Sequence, residues 1–159
     1  ERRLPGGYLW LQLGASGQGT AYPGQRDLRF QTAIGLDLTG WEGDATVHAG
    51  STLAVTLWWQ ITETAPHPDG ELKVFTHLLD PRRKTVAQHD ALGYAPRFWI
   101  QGERLATFFT LQIPANVPPG PLNLVGGLYT LPGFGGIQVT GPGGQSMGTE
   151  IPLGTVTVQ

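Results

Sequence analysis

Apolar and polar side chains alternate through most of the chain, the period of strands with one buried face. The clearest run is Leu53-Ala54-Val55-Thr56-Leu57-Trp58-Trp59-Gln60-Ile61-Thr62. Successive strand side chains point to opposite faces. Leu53, Val55, Leu57, Trp59 and Ile61 therefore form a core face, and Trp58 falls on the other side with Thr56 and Gln60. A second strand is predicted from Glu71 to Asp80, followed by a turn at Asp80-Pro81-Arg82-Arg83 and a partner strand from Lys84 to Asp90, together a β-hairpin. Thr107, Phe109, Leu111 and Ile113 mark another strand, which Pro114 stops. Leu122 to Tyr129 and Ile151 to Val158 mark two more, and a short one is expected from Gly136 to Thr140. Ala33 to Leu38 and Ala45 to His48 are expected as strands near the start.

No segment holds a helical apolar period over ten residues. The pattern gives seven to nine short strands with frequent turn signals. That describes an all-β, immunoglobulin- or fibronectin-like two-sheet β-sandwich, with a jelly roll as the alternative. Residues 26–159 are assigned to the sandwich. Residues 1–25 read as an edge strand at Tyr8 to Leu13, then a flexible linker from Gly14 to Gly24.

Composition narrows the function classes. With 24 glycines and 13 prolines among 159 residues, punctuation is dense, but it separates apolar runs and so reads as turns. The net charge of −2 comes without a basic stripe, so the electrostatic footprint of a nucleic-acid binder is missing. No run of eighteen apolar residues is present to span a membrane. The absence of cysteine excludes disulfides and thiolate metal sites. A start at Glu1 without Met is expected of a segment cut from a longer protein.

A set of ordered motifs carries a resemblance. They are Val47-His48-Ala49-Gly50-Ser51-Thr52-Leu53, Leu57-Trp58-Trp59-Gln60, Lys73-Val74-Phe75-Thr76-His77-Leu78-Leu79-Asp80, Ala87-Gln88-His89-Asp90 and Trp99-Ile100-Gln101-Gly102-Glu103. Ile113-Pro114, Pro118-Pro119-Gly120 and Val125-Gly126-Gly127-Leu128-Tyr129 follow. Over residues 33–159 the chain resembles the soluble C-terminal β-sandwich of multi-pass bacterial glycosyltransferases, akin to the protein mannosyltransferase and aminoarabinose transferase group and of the kind found in Chloroflexus-type bacteria. The resemblance implies a place on the outer face of the cytoplasmic membrane, with the membrane-embedded part of the same polypeptide as partner. It also implies a polyprenyl-phosphate-sugar donor for the parent enzyme. It implies no catalysis in this chain, because the catalytic acids of such enzymes lie on loops of the membrane part. Two departures stand out: Pro121 replaces an aromatic after Pro-Pro-Gly, and Leu131 to Gly136 replaces a shorter Asp-containing turn.

The candidate ligand-binding residues are Asp90, Tyr94, Arg97 and Trp99, on and beside one loop. Aromatic faces beside a carboxylate and a guanidinium suit a sugar, whose apolar face stacks on rings while its hydroxyls meet polar groups. The competing reading anchors the loop through Trp99 in the core and pairs Arg97 with a local acid. His77, Asp80, His89 and Asp90 lie on the two arms of one hairpin and bear on metal binding. If Asp80 pairs with Lys84, His77 and His89 share a face; if the pairing shifts by one residue, they fall on opposite faces. The expectation is that no metal and no cofactor is bound. Trp58, Phe75 and Phe108 either form an exposed docking row or are covered by the N-terminal segment through Tyr8 and Trp10.

No catalytic residue is singled out. Ser16, Ser51 and Ser146 lack the strand-to-helix elbow of a nucleophile, and the Gly-rich stretch from 133 to 148 has no following lysine or helix to cradle a phosphate. The expected role is a non-catalytic accessory domain that positions a glycan or polypeptide acceptor. A carbohydrate-binding module of an extracellular protein and a structural or adhesion module are the alternatives.

Overall fold

The structure is a computed structural model that describes residues 2–3, 9–10, 26–64 and 70–159. The strands are β1 (Arg2–Arg3), β2 (Leu9–Trp10), β3 (Arg26–Thr32), β4 (Leu36–Gly43), β5 (Thr46–Val47), β6 (Thr52–Ile61) and β7 (Glu71–Leu79). They continue with β8 (Thr85–Leu92), β9 (Arg104–Gln112), β10 (Gly120–Leu131), β11 (Gly135–Gly136), β12 (Val139–Thr140), β13 (Ser146–Gly148) and β14 (Ile151–Val158). One 3-10 turn, Pro96–Phe98, joins β8 to β9.

Two sheets pack face to face. The back sheet has the order β13-β12-β3-β4-β6-β9; the front sheet runs β5-β14-β10-β7-β8, with β11 on the end of β10. Taken in chain order, β4, β6, β7, β8, β9, β10 and β14 place the first, second and fifth strands in one layer. The seventh, sixth, third and fourth lie in the other. That is the immunoglobulin/fibronectin-like sandwich, with the fourth strand beside the third, and not the jelly roll. Between β4 and β5 the chain changes sheets, and β5 pairs in parallel with β14.

The core follows from period-two burial. Leu53, Val55, Leu57, Trp59 and Ile61 all lie inside, as the alternation of β6 requires. They meet Leu72, Val74 and Leu78 of β7 and Leu124 and Leu128 of β10. The buried Trp59 indole N–H donates to Thr107 Oγ1 at 2.9 Å, which satisfies its polar end within the apolar layer. Where the parity breaks, a bulge explains it. The ladder of β10 and β14 shifts at Leu124/Val125, and the inward positions of β14 change from Ile151 and Leu153 to Val156 and Val158.

The expected strand from Ala33 to Leu38 is corrected. Ala33 to Gly35 form a turn, and the strand before it, β3, was not expected at all. Gly35 sits at φ 72°, and a Cβ there would lie 2.5 Å from Cβ of Glu63, so both conformation and space call for glycine. Asp37 holds the turn by accepting from the Thr32 backbone N–H at 3.0 Å and the Thr62 hydroxyl at 3.2 Å. Burial pushes its carboxyl up, against the pull of those two hydrogen bonds. The single strand expected from Gly136 to Thr140 is two short pieces, β11 and β12.

The end strands β8 and β9 of the two sheets face each other across the sandwich, where His89 joins them. Its Nδ1 accepts from the Thr110 backbone N–H at 2.9 Å, and its ring meets Phe109 edge-on, with centroids 5.5 Å apart. A bond of this kind occupies a backbone donor that an edge strand would otherwise present for pairing. At the N-terminus, β2 pairs with β1 and runs beside β9, within the segment expected as an edge strand. Tyr8 and the proposed linker lie outside the described residues.

Candidate functional site

Residue type, strand parity and register together build a polar cluster on the outer face of the front sheet. In β7, Leu72, Val74, Thr76 and Leu78 point inward, so Lys73, Phe75 and His77 point out. Directly opposite residues share a face: Phe75 faces Asp90 on one side and Gly127 on the other, and Lys73 faces Tyr129. Asp90 is the centre. Its Oδ1 lies 3.2 Å from His77 Nε2, and its Oδ2 accepts from the Tyr129 hydroxyl at 2.9 Å. The carboxylate favours the tautomer with hydrogen on Nε2 and leaves Nδ1 of His77 as an acceptor.

Rings surround this cluster. Phe75 lies 4.6 Å from the His77 ring and 6.2 Å from that of Tyr129. Phe134, on the turn after β10, is 73% exposed. It stacks nearly parallel to Tyr129, with centroids 6.0 Å apart and planes at 17°. Gly127 makes room for Phe75: a Cβ there would come within 2.6 Å of the phenyl ring and 2.7 Å of the Thr149 carbonyl oxygen. Partial burial, followed by the Asp90 hydrogen bond and the charges of Asp90 and Glu71, pushes the Tyr129 phenol up to about 12. The phenol therefore stays a donor to Asp90 through the neutral range.

The four residues named from the sequence do not form one site. Asp90 belongs to the cluster just described, and its hydrogen-bond partners are on β7 and β10. Tyr94, Arg97 and Trp99 form a separate knot in the loop between β8 and β9. Trp99 is only 6% exposed and packs in the core, with its indole N–H donating to the Tyr94 carbonyl at 2.8 Å. As a stacking face for a sugar it is corrected: its ring is an anchor. The Tyr94 hydroxyl donates to the Phe98 carbonyl at 3.0 Å, closing the loop on itself. Arg97 lies over the Phe98 ring, 4.6 Å from the centroid, where a cation–π contact replaces the acid expected as its partner.

Register also decides the question of the histidines. Asp80 bonds to Lys84 through the backbone, but the ladder slips one residue between Leu78 and Leu79. His77 then pairs with Gln88 and points outward, while His89 pairs with Thr76 and reaches β9. Among the described residues no three His, Cys, Asp or Glu side chains converge to hold a metal ion. Asp80 is occupied in its turn, where Oδ1 accepts from the backbone N–H groups of Arg82 and Lys84.

Tyr129 and Phe134 were not named as site residues. Parity alone could have placed Phe75 and His77 on one face, and the neighbouring Gly126-Gly127 hinted at a ring crossing the next strand. No protein-family model matches the sequence, and no curated protein is similar enough to it to count as a relative.

Proposed function

We propose that this chain is a non-catalytic recognition domain, an extracytoplasmic accessory module of a membrane glycosyltransferase that positions the acceptor for the membrane-embedded part. The observation that supports it most is the outer face of β7, β8 and β10, where rings flank one carboxylate held by an imidazole and a phenol. Such a surface is suited to hold a ligand. Glycoside hydrolysis in its common forms sets two carboxyl groups on opposite sides of a bond, whereas here Asp90 stands between two hydrogen-bond donors. The order of short motifs from Val47 to Tyr129 supports the link to the glycosyltransferases. Among the described residues no helix is long and apolar enough to cross a membrane, so anchoring would fall to another part of the parent polypeptide.

The test is made on the full open reading frame. It is expected to encode many apolar spans, and deleting this domain should raise the acceptor KM in membranes supplied with a polyprenyl-phosphate sugar. A reading frame without spans, or transfer kinetics indifferent to the deletion, would refute the proposal. The ring tier of Tyr129 and Phe134 favours one second reading, a carbohydrate-binding module of a secreted protein. A reading frame without spans, joined to a hydrolase domain, would establish it.

A further inference from the structure

Phe134 is the most exposed large apolar side chain among the described residues, and it adjoins the Asp90 cluster. An isolated exposed phenylalanine needs no explanation, but this one continues a tier of rings. Tyr129 stacks on it nearly parallel, and Phe75 follows at 42° to Tyr129. The exposed Phe134 ring, backed by Tyr129, offers a flat apolar surface. A flat ligand face with outward C–H groups matches it, whereas a compact cation is best met by rings that enclose a point.

The polar partners fit the same ligand. An ionised carboxylate has about four acceptor positions. His77 and Tyr129 take one each at Asp90, and the side chain remains 30% exposed. Asp90 can therefore receive hydroxyl hydrogens beside the ring tier, and Nδ1 of His77 adds another acceptor. Charge narrows the class further. Lys73, the basic residue in the neighbouring row, is paired with Glu71 at 3.1 Å, so with Asp90 the surface carries an excess of negative charge. Uronates, sialic acids and phosphates are disfavoured on such a surface.

We infer that the outer face of β7, β8 and β10 is a subsite for an uncharged pyranoside, with Phe134 and Tyr129 as the stacking platform and Asp90 as the hydroxyl acceptor. The inference rests on the reading of this chain as a recognition domain and names its ligand class. Gly127 serves the site indirectly: it lets Phe75 lie across β10 and support the Tyr129 ring.

The experiment is saturation-transfer and chemical-shift NMR on the whole chain. The probes are methyl mannopyranoside, methyl glucopyranoside, methyl galactopyranoside, glucuronate, glucosamine and a lysine-rich peptide. At least one neutral methyl glycoside should bind and shift resonances around Tyr129 and Phe134, while glucuronate should not. Phe134→Ala and Asp90→Asn should each weaken that binding by about tenfold, and Phe98→Ala should leave it unchanged. Thermal melts of each variant control for folding. The inference is overturned if no neutral glycoside binds, if both site variants bind as the parent does, or if glucosamine or the peptide binds in preference. Failure here is separable from failure of the accessory role. A chain that binds no pyranoside but whose deletion impairs transfer loses the subsite alone, and one that binds although its reading frame lacks spans loses the membrane parent alone.

Discussion

The loop between β8 and β9 and the outer face of the front sheet hold similar side chains and use them oppositely. In the loop, Trp99 turns its ring into the core and spends its N–H on the Tyr94 carbonyl, while the Tyr94 hydroxyl closes onto Phe98. On the sheet, Tyr129 and Phe134 turn outward, and the polar atoms bridge three strands through Asp90. Side chains that are neighbours in sequence here serve local stability, and side chains far apart in sequence make the candidate site. The largest test of this contrast is Trp99→Ala. It removes a buried aromatic anchor and should cost about 3–5 kcal/mol by chemical denaturation. A loss below about 1 kcal/mol, the range of ordinary surface changes, would mean that the loop does not depend on its anchor.

A smaller effect is expected at Gly127. Alanine there places a methyl against both the Phe75 ring and the Thr149 carbonyl oxygen. The ring can yield but the backbone oxygen cannot, so Gly127→Ala should destabilise the fold by about 1–3 kcal/mol. It should also disturb the aromatic resonances of Phe75 and Tyr129 more than those of Tyr94. Equal disturbance at Tyr94 would erase the separation between the two regions.

His89 and His77 extend the contrast to one pair of strands. His89 ties β8 to the backbone of β9, whereas His77 lies on the open face beside Asp90. His89→Ala leaves the Thr110 N–H without that acceptor and removes an edge contact to Phe109, for an expected cost of about 1 kcal/mol. His77→Ala should cost less, because its partner is partly solvated. Denaturation midpoints of the two variants compare them directly, and a larger loss at His77 would reverse their assigned roles.

Much of the fold was legible because burial has a period of two. The alternation in β6 named its five inward residues, and Pro114 marked the end of β9 as expected of a residue without a backbone donor. The turn at Ala33 to Gly35 was not legible, since its apolar residues imitate a continuous strand until Asp37 and Thr62 are seen to fix the bend. The site was legible only in part. Asp90 was among the residues named, but the side chains that hold it lie 13 and 39 residues away in sequence, joined by register. The one-residue slip between Leu78 and Leu79 decides whether His77 faces Asp90, and a slip of that size leaves no mark in the pattern of residues.

The smallest expected effect is confined to alkaline solution. The Tyr129 phenol is raised from 10.0 to about 12 by partial burial first and by Asp90 and Glu71 after it. Both folded and unfolded chains keep this phenol protonated below pH 10, so its contribution is fully present there. Above pH 10 the unfolded chain gives up the proton while the folded one retains it. The contribution therefore declines as pH rises towards 12, and it is gone once both states are ionised. Ultraviolet titration of phenolate in the parent and in Tyr129→Phe should show that the phenol lost with Tyr129 is a late-ionising one. Asp90→Asn removes the adjacent charge but leaves the burial, so the late step should move down without reaching the ordinary value. If the phenol lost in Tyr129→Phe instead ionises at the ordinary value, the bond from Tyr129 to Asp90 loses its support.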